Sequence, residues 1–214
     1  MRVLEFFGRV ARRIPWRWVL GLTALIMLAG GMAVAFFLPT WMDVLEHRLY
    51  VVKPGVLYRS SYMSPRCMKA VIQRYKLKTV VNVRVDVKFA MKGVTEEKWM
   101  ASHGLHYLYL PSHELIDESD IRQFLEVVTN PEYQPVLVHC HQGRSRTGVF
   151  VAAYRICVDG WTARAALEEM REYGGARIAC ELNQPLLQRL EGRDWRQLSF
   201  AKPPADGKDP NGKD

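Results

Sequence analysis

Ten consecutive residues, His139-Cys140-His141-Gln142-Gly143-Arg144-Ser145-Arg146-Thr147-Gly148, gather the side chains best suited to chemistry. They lie between a buried-strand pattern at 135–139 and a helical pattern that opens at Thr147. Backbone N–H groups at such a junction point into the concavity, and the helix N-terminus adds partial positive charge. That is an anion cradle before any side chain is considered. Gly143 lets the backbone turn tightly against the anion, and Gly148 lets the helix start uncrowded. Cys140 enters as the first residue of the turn, where a helix N-terminus and nearby cations acidify a thiol. Six positions later, Arg146 can fold back over the loop with a planar fork that matches two phosphoryl oxygens, as lysine could not. Thr147 is placed to donate its hydroxyl to the sulfur and help the thiolate leave. The chemistry within reach of this set is attack of sulfur on a phosphoryl group.

Cys140-x5-Arg146 followed by Thr147, with His139 ahead of the cysteine, resembles the motif of the protein tyrosine phosphatase superfamily. Val56-Leu57-Tyr58-Arg59-Ser60 and Thr79-Val80-Val81-Asn82-Val83-Arg84 look like its atypical dual-specificity branch, with a resemblance running from about Leu49 to Tyr173. It implies in-line attack by Cys140, a phosphocysteine intermediate and hydrolysis by water, with no metal and no cofactor. The rest of the loop, His141, Gln142, Gly143, Arg144 and Ser145 together with Arg146, would bind the substrate. His141 and Arg144 can add positive charge facing the ligand, or simply be solvated at the rim. Facing the ligand, they favour multiply charged or lipid-head-group phosphates over a lone phosphotyrosine; a phosphotyrosine or phosphoserine/threonine protein stays open as substrate. A lone strand-end cysteine is usually a small buried hydrophobe. A rhodanese-type loop also pairs such a cysteine with an arginine, without the Arg-Thr-Gly run. The alternative from another class is a catalytically inactive, membrane-anchored phosphate-binding module, which predicts loss of the cysteine or the arginine.

A leaving alkoxide or phenoxide needs a proton, so a carboxylic acid should hang over the pocket. In the family it is an Asp on the loop after the preceding strand. Here that loop reads Ser112-His113-Glu114-Leu115-Ile116-Asp117-Glu118, with no Asp at the usual spacing. Asp117, 23 residues ahead of Cys140, is the first choice of acid, and Glu114, 26 ahead, is the alternative. His113 and the absence of any side-chain acid remain open. Asp117 also reads as a helix cap, with Asp120 inside the first turn.

These residues need a scaffold, and the chain alternates strand and helix patterns. Strands are expected at 56–59, 79–83, 106–110 and 136–139. Ser64-Pro65 starts a helix through Tyr75, Thr95 caps one through His103, and Ser119–Thr129 forms another. After the loop come helices over 147–158, from Thr162 to Tyr173, and over 183–190. The alternation predicts an α/β, three-layer fold: a mostly parallel central sheet with helices on both faces, preceded by one transmembrane helix. The expected domains are a basic segment at 1–17, a transmembrane helix at 18–40, the phosphatase domain at 49–197 and a disordered tail at 198–214.

Of 214 residues, 49% are hydrophobic and 24% charged, a globular composition. The net charge of +8 is concentrated in Arg2, Arg9, Arg12, Arg13 and Arg17, which argues against a nucleic-acid partner. The run from Trp18 to Leu38 carries no charge over 21 residues, and Trp16, Trp18 and Trp41 bracket it. It reads as an uncleaved anchor, with a cleaved signal peptide at Ala33-Val34-Ala35 as the alternative. The arginines then place the N-terminus in the cytoplasm and the catalytic domain across the membrane. Cys67, Cys157 and Cys180 read as structural, since no pair has zinc or thioredoxin spacing and four cysteines do not make a disulfide scaffold.

Overall fold

The computed structural model describes residues 16–85, 90–91 and 93–198. The chain divides into two compact units, Met1–Asp43 and Val44–Asp214. In the first, the apolar run lies in a helix, α1 (Trp16–Glu46), whose described side chains, Trp16 to Met32, are exposed. Among the described residues no helix is long and apolar enough to cross a membrane. The side chains described in α1 span seventeen residues and include Arg17, short of the roughly twenty apolar residues a span requires. This overturns the single-pass membrane localisation, with its cytoplasmic N-terminus and catalytic domain opposite, and leaves the helix at 18–40 without support as a transmembrane span. Residues 1–15 of the basic segment and 199–214 of the tail lie outside the described residues.

The second unit is built on a five-stranded sheet: β1 (Tyr50–Lys53), β2 (Leu57–Ser60), β3 (Thr79–Asn82), β6 (His106–Tyr109) and β7 (Val136–His139). A short antiparallel pair, β4 (Ala90–Met91) and β5 (Val94–Thr95), stands apart from it. The order across the sheet is β1-β2-β7-β3-β6. The last strand to arrive, β7, is inserted in parallel between β2 and β3, and β6 lies parallel to β3. Only β1 runs antiparallel, against β2. The sheet is therefore mixed, with a parallel heart. Its edge strand β1 and the β4–β5 pair have no clear apolar period and were not legible in advance.

Strand side chains alternate between faces, and the core divides accordingly. Leu57, Val81, Val136 and Val138 pack against α4 (Glu118–Thr129), α5 (Ser145–Cys157), α6 (Ala163–Glu172) and α7 (Arg177–Leu190). Tyr58, Val80 and Leu137 face the other way, onto α2 (Pro65–Tyr75) and α3 (Glu96–Ser102). Local chemistry sets the helix starts. The Ser64 hydroxyl accepts from Cys67 N with Pro65 at the first position, Thr95 accepts from Lys98 N, and Thr162 accepts from Ala165 N. The central α5 begins two residues earlier than its pattern suggests, at Ser145, and is buried nearly all round, from Thr147 to Tyr154. The last helix starts at Arg177, ahead of the apolar residues that mark it in the sequence.

Candidate active site

The carboxyl end of β7 opens between two parallel neighbours, which is where α/β sheets bind ligands. Cys140 follows that strand directly and is 3% exposed. The loop then turns at Gly143, whose φ is +67°. A Cβ there would stand 2.5 Å from Ser61 N and 2.6 Å from the Ser60 carbonyl, so the turn is pressed against the end of β2 and takes only glycine. At Gly148 a Cβ would fall 2.7 Å from Met170 Cγ, which fixes how closely α5 packs on α6.

The loop encloses the sulfur. Gly143 N–H donates to Cys140 Sγ at 3.2 Å. Burial pushes the thiol pKa up. The Thr147 hydroxyl, buried and without another partner, acts against this together with the amides of Thr147, Gly143 and Gln142, and the net shift is downward. The amino end of α5 reinforces these donors. A thiol that burial alone would make harder to ionise is thus made easier to ionise than a free one.

Arg59 supports the loop from beneath. This β2 side chain is 1% exposed, and its Nη2 donates to the carbonyls of Gly143 at 3.0 Å and Arg144 at 3.3 Å. Its guanidinium lies 4.5 Å from the centre of the Tyr173 ring. Ser145 Oγ accepts from Ala176 N at 3.0 Å and ties the loop to the start of α7. On the other flank, His139 is fully buried and its Nε2 lies 3.1 Å from Glu96 Oε1.

Beside the loop is an open cleft of about 360 Å³ lined by Arg84, Val85, His113, Glu114, His141 and Arg146, and His141 is the residue that follows Cys140. Arg146 and His141, both read from the sequence, therefore meet at one surface, and Gln142 is exposed beside them. Arg144 and Ser145 are half-buried in the loop wall, where their backbone and hydroxyl are engaged. Glu114 reaches the cleft because its loop is pinned. Asn183 on α7, fully buried, donates to Glu114 O at 2.6 Å and accepts from Ile116 N at 3.0 Å. Ser112 Oγ meets Asp120 at 3.2 Å. Ile116 is buried and draws the chain inward, and Asp117 then stands at the start of α4, outside the cleft lining. Its carboxylate makes no capping hydrogen bond.

Arg59, Asn183 and Glu96 were not read as functional residues. An arginine in an otherwise apolar strand was the one available signal for Arg59. Asn183 and Glu96 look like ordinary helix residues until the helices dock.

A thiol whose pKa the loop amides lower, an arginine six residues on and an open cleft that this arginine lines define the cysteine-dependent phosphatase class. The chain belongs to the tyrosine phosphatase family, whose model matches residues 46–193, and within it to the atypical dual-specificity branch. It is 36% identical over 141 residues to the dual specificity protein phosphatase TpbA of Pseudomonas aeruginosa, covering 64% of this chain and 60% of that protein. The chain thus spans about 60% of the length of that curated relative. A crystal structure of a TpbA variant in complex with phosphotyrosine superposes with a TM-score of 0.52 at 32% identity, covering 66% of this chain and 88% of that one. The core catalytic domain of the PP-IP phosphatase SIW14 from Saccharomyces cerevisiae shares the fold, with a TM-score of 0.57 at 23% identity over 70% of this chain and 94% of that one.

Proposed function

We propose that the domain at 49–197 hydrolyses phosphomonoesters through a phosphocysteine intermediate. The observation that carries this reading is the buried Cys140 sulfur, 3.2 Å from the Gly143 amide, in the same loop whose His141 and Arg146 line the cleft. The Cys140 thiolate attacks phosphorus in line, and an S–P bond forms as the P–O bond to the leaving group breaks. Arg146 and the loop amides hold the three equatorial oxygens, where negative charge is spread in the transition state. A carboxylic acid from the 112–118 loop gives its proton to the departing oxygen. Glu114 is the acid this geometry favours, because it lines the cleft and its backbone is pinned by Asn183. Water then attacks phosphorus and gives its proton to the carboxylate left by the first step, the S–P bond breaks, and the Thr147 hydroxyl and the amides receive the returning thiolate.

The substrate proposed first is a phosphorylated protein, in keeping with the name of the relative at 36% identity and with the phosphotyrosine bound in its structure. A second reading is favoured by one observation: Arg84, His113 and His141 join Arg146 around the cleft, which suits a polyanionic inositol phosphate. The full chain is to be assayed with an aryl phosphate, phosphotyrosine and phosphoserine peptides, and inositol phosphates. Turnover by the parent and none by Cys140→Ser is the expected result. Retained turnover in Cys140→Ser would overturn the mechanism, and an inactive parent would leave a phosphate-binding module.

A further inference from the structure

Glu96 is a carboxylate on the inside of the protein, 4% exposed, at the first position of α3. The catalytic steps above do not use it. Its surroundings are nevertheless specific. Oε1 lies 3.1 Å from His139 Nε2, while Oε2 accepts from Asn82 Nδ2 at 2.6 Å and from the Tyr107 hydroxyl at 3.3 Å. Asn82 also donates to the Tyr107 hydroxyl at 2.9 Å and accepts from Arg84 N at 2.9 Å. The elements that meet on this carboxylate are β3, β6, β7 and α3, and His139 is the residue bonded to Cys140.

We propose that Glu96 is a positioning residue of the catalytic loop: by holding the imidazole of His139, it fixes the backbone from which Cys140 departs. The backbone of His139 is tied at the same point, since Val83 N donates to His139 O at 3.0 Å. His139 thus has the Glu96 carboxylate 3.1 Å from its imidazole and a hydrogen bond on its main-chain carbonyl. The amides around the sulfur are aimed from that fixed origin, and hydrogen bonds to a charged acceptor fall off steeply with misalignment. Burial pushes the Glu96 carboxyl up, but His139, the Tyr107 hydroxyl and Arg84 outweigh burial and hold it below the usual carboxylate range. The titratable and charged groups facing it are His139 from β7, Tyr107 from β6, Arg84 after β3 and Tyr62 after β2. The Tyr62 hydroxyl is pushed up to about 12 by burial and by Glu96 itself.

The test is the ionisation of Cys140 in the full chain, read as the rate of alkylation by iodoacetamide against pH and located by mass spectrometry. It needs no turnover, so its outcome is separate from the phosphatase reading on which the word catalytic rests. Removing a nearby negative charge would by itself lower the thiol midpoint. Loss of positioning raises it, because the amides no longer converge on the sulfur. The sign therefore decides. Glu96→Gln is expected to raise the midpoint by about half a unit or more, and Glu96→Asp to restore part of the shift. A midpoint that stays put or falls in folded Glu96→Gln overturns the proposal, whatever the variant does to the melting temperature. If Glu96→Gln does not fold, Tyr107→Phe removes one hydroxyl from the same carboxylate, and an unchanged or lowered midpoint there overturns it equally.

Discussion

Arg59 Nη2 reaches across from β2 to the Gly143 carbonyl at 3.0 Å, so the apex of the catalytic loop hangs on a side chain that never meets solvent. The carbonyls of the loop point down to this guanidinium while the amide of Gly143 points to the sulfur. Loop geometry is set from below by a strand residue outside the motif.

Replacing Arg59 with Met should therefore injure activity as well as stability. Two carbonyls lose their donor, and leaving buried acceptors unpaired costs about 1–3 kcal/mol each. A displaced loop should lower kcat/KM by roughly tenfold to a hundredfold. Steady-state kinetics on the folded fraction, measured beside a chemical denaturation curve, separates the two losses.

Gly143→Ala meets a wall. The added Cβ would clash with Ser61 N at 2.5 Å, and alanine would be held at a φ of +67°. Left-handed strain alone costs about 1–2 kcal/mol, and the clash adds to it. The expected outcome is a chain of lower melting temperature that has also lost most of its turnover, since the Gly143 amide no longer meets the sulfur. Wild-type kinetics in this variant would show the loop to be more pliable than its packing allows.

The proton donor can be read from the pH profile. With a poor leaving group, Glu114→Gln should lower kcat by roughly a hundredfold and flatten the alkaline limb, while Asp117→Asn leaves that limb standing. The reverse pattern would assign the acid to Asp117, and two unflattened limbs would dismiss both. An already acidic leaving group should respond less to either change.

Cys140 should titrate ahead of the other thiols. Burial pushes Cys157 up to about 11 and raises Cys180, whereas Cys140 is lowered. Alkylation near neutral pH should mark Cys140 first, with all four cysteines labelled only after unfolding. The same shift has a stability signature. A group with a depressed folded pKa contributes stability above its unfolded pKa and loses it as pH falls through the folded value. The melting-temperature difference between the parent and Cys140→Ala should therefore move in the parent's favour as pH rises through that window. A difference that stays flat would mean the thiol is not acidified.

The sequence was most legible where chemistry and local geometry coincide. From Cys140 to Thr147 each residue type carries its own reason, and the loop stands between the expected strand and helix. The parallel heart of the sheet was legible for a similar reason, because the doubly buried strands 79–82 and 136–139 are centred on β-branched and aliphatic residues, Val80-Val81 and Val136-Leu137-Val138. What was hidden depends on tertiary contact. Glu96 fits a helix start by its charge, yet it turns inward to His139, 43 positions away in the chain. Asn183 carries no sign that it will hold the loop of Glu114. Asp117 was favoured by residue type and spacing, but the buried Ile116 before it steers the chain past the cleft. The apolar run at 18–38 was read by composition alone.

The insertion of β7 between β2 and β3 has a consequence for motion. Its residues are laddered on both sides, Val138 to Arg59 and to Val81, His139 to Ser60 and to Asn82. Fluctuations that fray outer strands die away before they reach a doubly paired centre. The origin of the catalytic loop is then the part of the domain least open to local fraying, and accommodation of ligands of different size falls to the exposed side chains of the cleft, such as His113, rather than to the strand that carries the sulfur.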